Sequence, residues 1–198
     1  MNRQTLITAI VTDTNDPEKL GRVRLLLPGL SGDYDDQMLW ARVLSPLAGK
    51  DRGQCLLPEI EDEVLVAFIQ EDLSNAYVLG GLWSQKNPPP EGVGKEENDL
   101  KMIKTRSGHT LTLNDKEGEE QITLSDKNGN SLIINTGEDR ITLKAKSKIE
   151  IVTEGDLTLS GKTIKLAATD SLEIKADSSL ILDGGNTADL KAGTVNIN

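Results

Sequence analysis

Aromatic side chains are scarce in this sequence. They make up 3% of its 198 residues, whereas 36% of the residues are hydrophobic. A globular core for a chain of this length normally contains more large rings. The composition therefore predicts a narrow core that is filled by Ile, Leu and Val and is too thin for indole or phenyl groups.

Cysteine and histidine are almost absent as well. A single cysteine, Cys55, excludes a disulfide framework within the chain, and it is interpreted as a small buried apolar residue. The single histidine, His109, has no metal-ligating or catalytic partner nearby in sequence, so a structural role at a turn is predicted. The sequence predicts no catalytic residue, no metal site and no cofactor, and hence no enzyme.

Long apolar runs and basic surfaces are also missing. No stretch approaches the roughly 18 apolar residues of a membrane-spanning helix, and the N-terminus lacks a signal peptide. A soluble product made in the cytoplasm is therefore expected. The net charge is -10, and residues 1–99 alone carry 9 Lys+Arg against 17 Asp+Glu, a net of -8. This balance disfavours nucleic acid as a partner.

The two halves of the chain differ in composition. All five aromatic residues precede residue 84, and all seven prolines precede residue 91. We interpret this change as a domain boundary, with a first domain at 1–86, a linker rich in Pro, Gly and acidic residues at 87–100, and a second domain at 101–198.

The first half has the pattern of a small β-barrel. Five alternating or apolar stretches are separated by Gly, Pro and Asp, which predicts a barrel of the OB type. These stretches are residues 6–11, 21–27, 40–44, 63–69 and 76–83.

Two clusters in the first half have alternative interpretations. The acidic run of Glu59, Glu61, Asp62 and Glu63 is predicted to be a solvated turn rather than a cation site or a catalytic carboxylate pair. The aromatic residues Trp40, Tyr77 and Trp83 could stack on bases in an OB groove. A place in the barrel core or at an interface between copies is favoured, because the acidic half would repel phosphates.

The second half is a repeat of apolar-x-apolar triplets with polar spacers. Clear triplets begin at residues 141, 149, 157, 164, 172, 180 and 195, and the first six follow one another at spacings of 8, 8, 7, 8 and 8 residues. Looser triplets begin at residues 111, 122 and 132. Within a strand, residues i and i+2 face the same side, so each triplet directs two aliphatic side chains inward.

Eight residues per unit are too few for one chain to enclose a core, since single-chain β-helices use about 20 residues or more per turn. The repeat therefore predicts a homotrimer whose C-terminal half is an intertwined triple-stranded β-helix, a needle with strand edges paired between chains. A monomeric β-solenoid with irregular turns and a flexible tail are the alternatives. The predicted trimer core consists of Ile141, Leu143, Ile149, Ile151, Leu157, Leu159, Ile164, Leu166, Leu172, Ile174, Leu180, Leu182, Val195 and Ile197.

An ordered series of motifs resembles the spike proteins of contractile injection systems, which include VgrG proteins of type VI secretion and the baseplate spikes of contractile phages (baseplate assembly protein V-like). The motifs are GRVR (21–24), WARV (40–43), SPLAG (45–49), LPEIEDEVLVAF (57–68), YVLGGLW (77–83) and KTRSGHTLTLNDKEG (104–118).

The resemblance implies a trimeric spike at the baseplate tip of a phage, tailocin, type VI system or extracellular injection particle, driven through the target envelope by sheath contraction. It implies a hub at the barrel end and a PAAR-type tip protein docked on Val195, Asn196, Ile197 and Asn198. Because the barrel starts within the first ten residues, the hub is expected to be a separate chain, which favours a phage-like or extracellular particle. The short linker and the absence of a terminal His-x-His pair argue against an inserted lysozyme domain and an apical iron site.

Two functions from other classes remain as alternatives. A β-helical carbohydrate-acting tail protein would need catalytic carboxylates and aromatic sugar platforms on the helix, and residues 101–198 contain no aromatic residue. An OB-fold nucleic-acid-binding protein would need a basic groove.

Overall fold

The computed structural model describes residues 6–28, 37–69, 72, 74–95 and 97–196. In this part of the chain twelve strands form and no α-helix occurs, so the all-β expectation is confirmed. In chain order the strands are β1 (Leu6–Asp13), β2 (Arg22–Leu26), β3 (Met38–Val43), β4 (Ala48–Gly49), β5 (Arg52–Gly53), β6 (Glu63–Phe68), β7 (Ala76–Leu82), β8 (Leu100–Lys104), β9 (Thr110–Asn114), β10 (Gln121–Ser125), β11 (Ser131–Asn135) and β12 (Arg140–Lys144).

Five strands close a barrel in the order β1-β2-β3-β7-β6, and β6 returns to pair with β1. Neighbouring strands are antiparallel except β3 and β7, which run parallel. Five strands in this partly parallel arrangement are typical of an OB fold. The predicted OB barrel is confirmed, whereas the two-residue strands β4 and β5 were not predicted, because two residues carry no detectable periodicity.

The barrel core is made of small and medium aliphatic side chains. Alternation along each strand directs every second residue inward, so that the odd-numbered residues of β2 are buried and the even-numbered ones are half-buried. The buried set is Ala9, Val11, Val23, Leu25, Leu27, Ala41, Val64, Val66, Phe68, Ala76 and Val78. Phe68 is the one aromatic residue in this buried set, which agrees with the predicted narrow core.

Strands β8 to β12 form a second sheet, an antiparallel meander in which each strand pairs with the next one in sequence. The sequence predicted that strand edges in the second half pair with neighbouring chains. From residue 100 to residue 144 the structure differs, because short turns join successive strands into hairpins of the same chain. Ile141 and Leu143 of the predicted trimer core lie in β12, the last strand of this sheet.

The turn between β10 and β11 shows how the sequence makes these hairpins. The carboxylate of Asp126 accepts hydrogen bonds from the backbone of Asn128 at 2.8 Å and Asn130 at 3.0 Å, and from the Asn130 amide at 2.7 Å. Gly129 has a φ of 89°, a left-handed conformation that favours glycine. The Asp-x-Asn-Gly-Asn sequence therefore fixes the turn and with it the register of both strands.

The chain divides into two compact units, Met1–Ile149 and Glu150–Asn198. The barrel and the five-stranded sheet belong to the first unit. In the second unit, the described residues 151–196 form no strand that pairs with another segment of the chain. The predicted domain limits at 1–86, 87–100 and 101–198 stay predictions.

The barrel core generates a test of the fold. We expect Leu25→Ala to destabilise the barrel by about 2–5 kcal/mol, because it leaves a cavity in a close-packed interior. Leu25 is 0% exposed, and the matched variant Leu20→Ala removes the same atoms from a side chain that is 68% exposed. Urea unfolding followed by fluorescence reports on the barrel half, since both tryptophans, Trp40 and Trp83, precede residue 84. Equal losses for the two variants would contradict the assigned core.

Candidate assembly surface

One face of the five-stranded sheet carries two rows of aliphatic side chains that run across all five strands. The registers of the four strand pairs bring these residues together. We call this surface the ladder face. Its first row is Ile103, Leu111, Leu124, Leu132 and Leu143, and its second row is Lys101, Leu113, Ile122, Ile134 and Ile141.

The aliphatic side chains of the ladder face are exposed. Their exposed fractions run from 37% to 71%. A contiguous exposed apolar surface of this kind is typical of an interaction site rather than of the solvated side of a protein. The ladder face therefore requires a covering partner.

The opposite face of the same sheet is polar. Thr112 and Thr123 are direct neighbours across β9 and β10, and the hydroxyl groups of Thr110 and Ser125 share a hydrogen bond of 2.7 Å. The side chains of this face on β9, β10 and β11 are half-buried by one another. The sheet thus has a polar side suited to water and an aliphatic side that is not.

The triplets of the repeat are equally uncovered within one chain. From residue 149 to residue 182 the predicted core side chains are between 49% and 73% exposed. Val195 is half exposed and Asn196 is exposed, whereas Ile197 and Asn198 lie outside the described residues. The predicted core residues therefore share one property, a large aliphatic side chain without cover from the described part of its own chain.

The outer surface of the barrel carries an arginine and aromatic cluster that the sequence did not predict as a unit. Arg22 and Arg42 are neighbours across β2 and β3. The Arg22 guanidinium lies 5.7 Å from the Trp40 ring centre, and that of Arg42 lies 5.6 Å from the Tyr77 ring centre. Both distances suit cation–π contacts. Trp40 and Tyr77 are thus outside the barrel core, and the guanidinium groups occupy ring faces that a stacked base would need.

Asp16 fixes the loop between β1 and β2. Its carboxylate accepts hydrogen bonds from the Arg22 side chain at 2.7 and 3.1 Å, and from the backbone of Glu18, Leu20 and Arg22 at 2.7 to 3.2 Å. The Arg22 guanidinium, followed by these backbone donors, lowers the pKa of Asp16 far below its ordinary value of 3.8. Asp16 thereby holds Arg22 over Trp40, a role that its sequence position alone did not reveal.

The remaining sequence candidates lie at turns and in irregular segments. His109 lies at the turn from β8 to β9, where its carbonyl accepts a 2.9 Å hydrogen bond from the backbone of Thr105. The interpretation of Cys55 as buried is wrong: Cys55 is exposed, because it lies in the irregular segment after β5, outside the barrel.

The acidic run forms the turn that enters β6. The Asp62 carboxylate accepts a 2.8 Å hydrogen bond from the backbone of Glu59, and Glu59 pairs with Arg106 at 3.0 Å. Among the described residues, no three His, Cys, Asp or Glu side chains are grouped so that they could hold a metal ion. The predicted turn is therefore present.

The residues that the structure describes contain no helix long and apolar enough to cross a membrane.

Comparison with known proteins assigns the barrel to a class. The family model of the Type VI secretion system/phage-baseplate injector OB domain matches residues 7–83, which span β1 to β7. The barrel is therefore an injector OB domain, and the resemblance to VgrG-like baseplate spikes that the motifs indicated is confirmed.

Several VgrG proteins are relatives of the chain. It is 26% identical over 173 residues, 83% of its length, to the actin cross-linking toxin VgrG1 of Vibrio cholerae. It is 30% identical over 126 residues, 58% of its length, to the type VI secretion system spike protein VgrG4b of Pseudomonas aeruginosa. A third relative is the spike protein VgrG3 of Vibrio cholerae, 26% identical over 113 residues, 54% of this chain. The chain spans only 15%, 16% and 11% of the lengths of these three relatives.

The Asp16 contacts predict a pH dependence. A carboxyl group whose pKa is lower in the folded state stabilises the fold above its unfolded pKa, and this contribution is lost as the pH falls towards the folded pKa. We therefore expect Asp16→Asn to lower the urea midpoint of the barrel at neutral pH, with a gap to the wild type that narrows in acid below about pH 4. Asp13→Asn is the matched control, because Asp13 accepts a backbone hydrogen bond from Asn15 in the same loop. A gap that stays constant with pH would contradict the assignment.

Proposed function

We propose that this chain is the central spike of a contractile tail or injection machine. In this role three copies form a needle that punctures the target envelope when the sheath contracts. The injector OB domain and the VgrG relatives support the role of a baseplate spike. The observation that carries the trimer is the ladder face together with the uncovered triplets that follow it in sequence.

The energetic argument for association is simple. Burying one Leu, Ile or Val side chain contributes about 1.5–3 kcal/mol. Nine aliphatic side chains of the ladder face are exposed in the single chain, and those of the triplets from 149 to 182 are exposed as well. Because all copies carry identical surfaces, packing against further copies of the chain is the association that the sequence itself supplies.

Three copies fit the repeat better than one or two. A triplet spans about 7 Å and supplies a single flat wall, since a strand rises about 3.3 Å per residue. Three such walls meeting at one axis enclose a thin column, and the backbone edges of each chain pair with the neighbouring chains. A thin column also explains why residues beyond 90 contain no aromatic ring, because an indole would not fit at the axis.

The partners and location of the proposed spike follow from the resemblance. A hub or baseplate protein would hold the barrel end, and a PAAR-type tip protein would cap the repeat near Val195 and Asn196. Contact with the target membrane would be transient and mechanical. The role is structural, so it needs no cofactor and no catalytic residue, and the assembled spike would lie at the baseplate tip of a phage, tailocin, type VI system or extracellular injection particle.

The test is the mass of the assembled particle. We expect native mass spectrometry and light scattering to give three times the 21.5 kDa chain, with no monomer on dilution to micromolar concentration, because folding of the repeat and association are coupled. A folded, soluble monomer would contradict the proposal.

A pair of variants locates the association. Leu124→Asp places a charge in the middle of the ladder face, and we expect loss of the trimer, because burying an unpaired carboxylate is costly. Gln121→Asp places the same group on the opposite face of the same strand, where we expect the trimer to persist. Fluorescence of the barrel tryptophans verifies that both variants fold. Equal masses for the two variants would show that the ladder face does not mediate association.

A further inference from the structure

The ladder face is chemically asymmetric. Nine of its ten positions are aliphatic, and the exception is Lys101 on β8. At the other side of the sheet, on β12, both rows end in aliphatic side chains, Ile141 and Leu143, which are exposed. The aliphatic surface therefore continues to the β12 edge but ends in a charge at one corner of the β8 edge.

The charge of Lys101 is held in place by a second residue. The Lys101 ammonium group lies 2.5 Å from the carboxylate of Asp115, and both side chains are about half exposed. The backbone of Asp115 donates a 3.0 Å hydrogen bond to the carbonyl of Asp99, just before β8. This contact continues the pairing of β8 with β9, so that the ion pair belongs to the ladder face and not to the polar face.

We infer that Lys101, positioned by Asp115, closes the β8 corner of the ladder face to additional copies of the chain and so restricts self-association to a closed trimer. The inference rests on the proposed function, in which copies pack through the ladder face. It adds the residue pair that decides where this packing stops.

The physical basis is the cost of covering a charge at an open sheet edge. β8 is an edge strand, with β9 as its only neighbour in the sheet, so its outer backbone groups could template another strand. A copy that packed over the β8 corner would have to desolvate the Lys101 and Asp115 charges, and desolvation can cost more than the ion pair returns. Copies that pack where the rows are aliphatic bear no such cost. A charged residue that points inward on an edge strand is a known device against open-ended pairing.

An ordinary surface ion pair would have no such effect, and Lys104 permits the comparison. Lys104 is also exposed and also lies on β8, but it pairs in register with Thr110, on the polar face. A substitution that removes the charge and keeps an unbranched side chain can therefore be made on either face of the same edge strand. Only the change on the ladder face should alter how many copies associate.

The experiment compares Lys101→Met, Lys101→Arg and Lys104→Met in the full chain by native mass spectrometry and by light scattering across a concentration series. We expect Lys101→Met to shift the mass distribution above three chains, increasingly so at higher concentration. We expect Lys101→Arg, which keeps the charge, and Lys104→Met to keep the wild-type mass. Tryptophan fluorescence verifies in each variant that the barrel is folded.

The outcomes are separable. A wild-type chain that is monomeric contradicts the proposed function, whatever the variants do. A trimeric wild type with a Lys101→Met variant of the same single mass overturns the inference and leaves the proposed function intact. Larger species formed by Lys104→Met as well as by Lys101→Met also overturn it, because the effect would then belong to the edge strand as a whole. Larger species from Lys101→Met alone, with Lys101→Arg unchanged, support it.

Discussion

The burial of aliphatic side chains that one chain cannot cover by itself is the constraint on which this molecule depends. The barrel satisfies its own constraint, since its aliphatic core is enclosed by five strands that close on themselves. The ladder face and the triplets do not, because their aliphatic side chains remain exposed in the single chain. The first half can therefore fold from its own contacts, whereas the second half needs other copies before its hydrophobic surface contributes to stability.

This division suits a spike. A self-sufficient barrel offers a rigid platform whose outer surface, with Arg22 over Trp40 and Arg42 over Tyr77, is fixed by cation–π contacts and by the Asp16 carboxylate. In the proposed trimer, the second half would form a column that has no folded form apart from the assembly. A column of this kind resists unfolding under load, because no chain can leave it without exposing the aliphatic side chains of all three.

Much of the fold could be predicted from the sequence, for reasons that are specific to each part. The barrel strands were predictable because alternation and turn residues agree, as in β2, where buried Val23 and Leu25 alternate with Arg22 and Arg24. The hairpins of β8 to β12 were predicted as triplets but not as a sheet of one chain, because period-2 alternation does not say which edge pairs with which. That distinction depends on turns such as Asp126 to Asn130.

The candidate site was predictable only in part. Ile141 and Leu143 were identified by spacing, whereas the place of Lys101 among aliphatic residues emerges only from the register of β8 with β9. Cys55 was misassigned because composition favours burial of cysteine on average, and the irregular segment that exposes it has no sequence period.

Hydrogen exchange at the backbone amides of residues 149–182 tests the central claim most directly. In a single chain these amides have no strand partners, and in the proposed trimer the strands of neighbouring chains would pair with them. The account predicts that exchange in this segment is as slow as in the barrel core strands β2 and β6, and that it accelerates together with loss of the trimer. Exchange at the rate of unpaired amides, in a sample that is folded and trimeric, would contradict it.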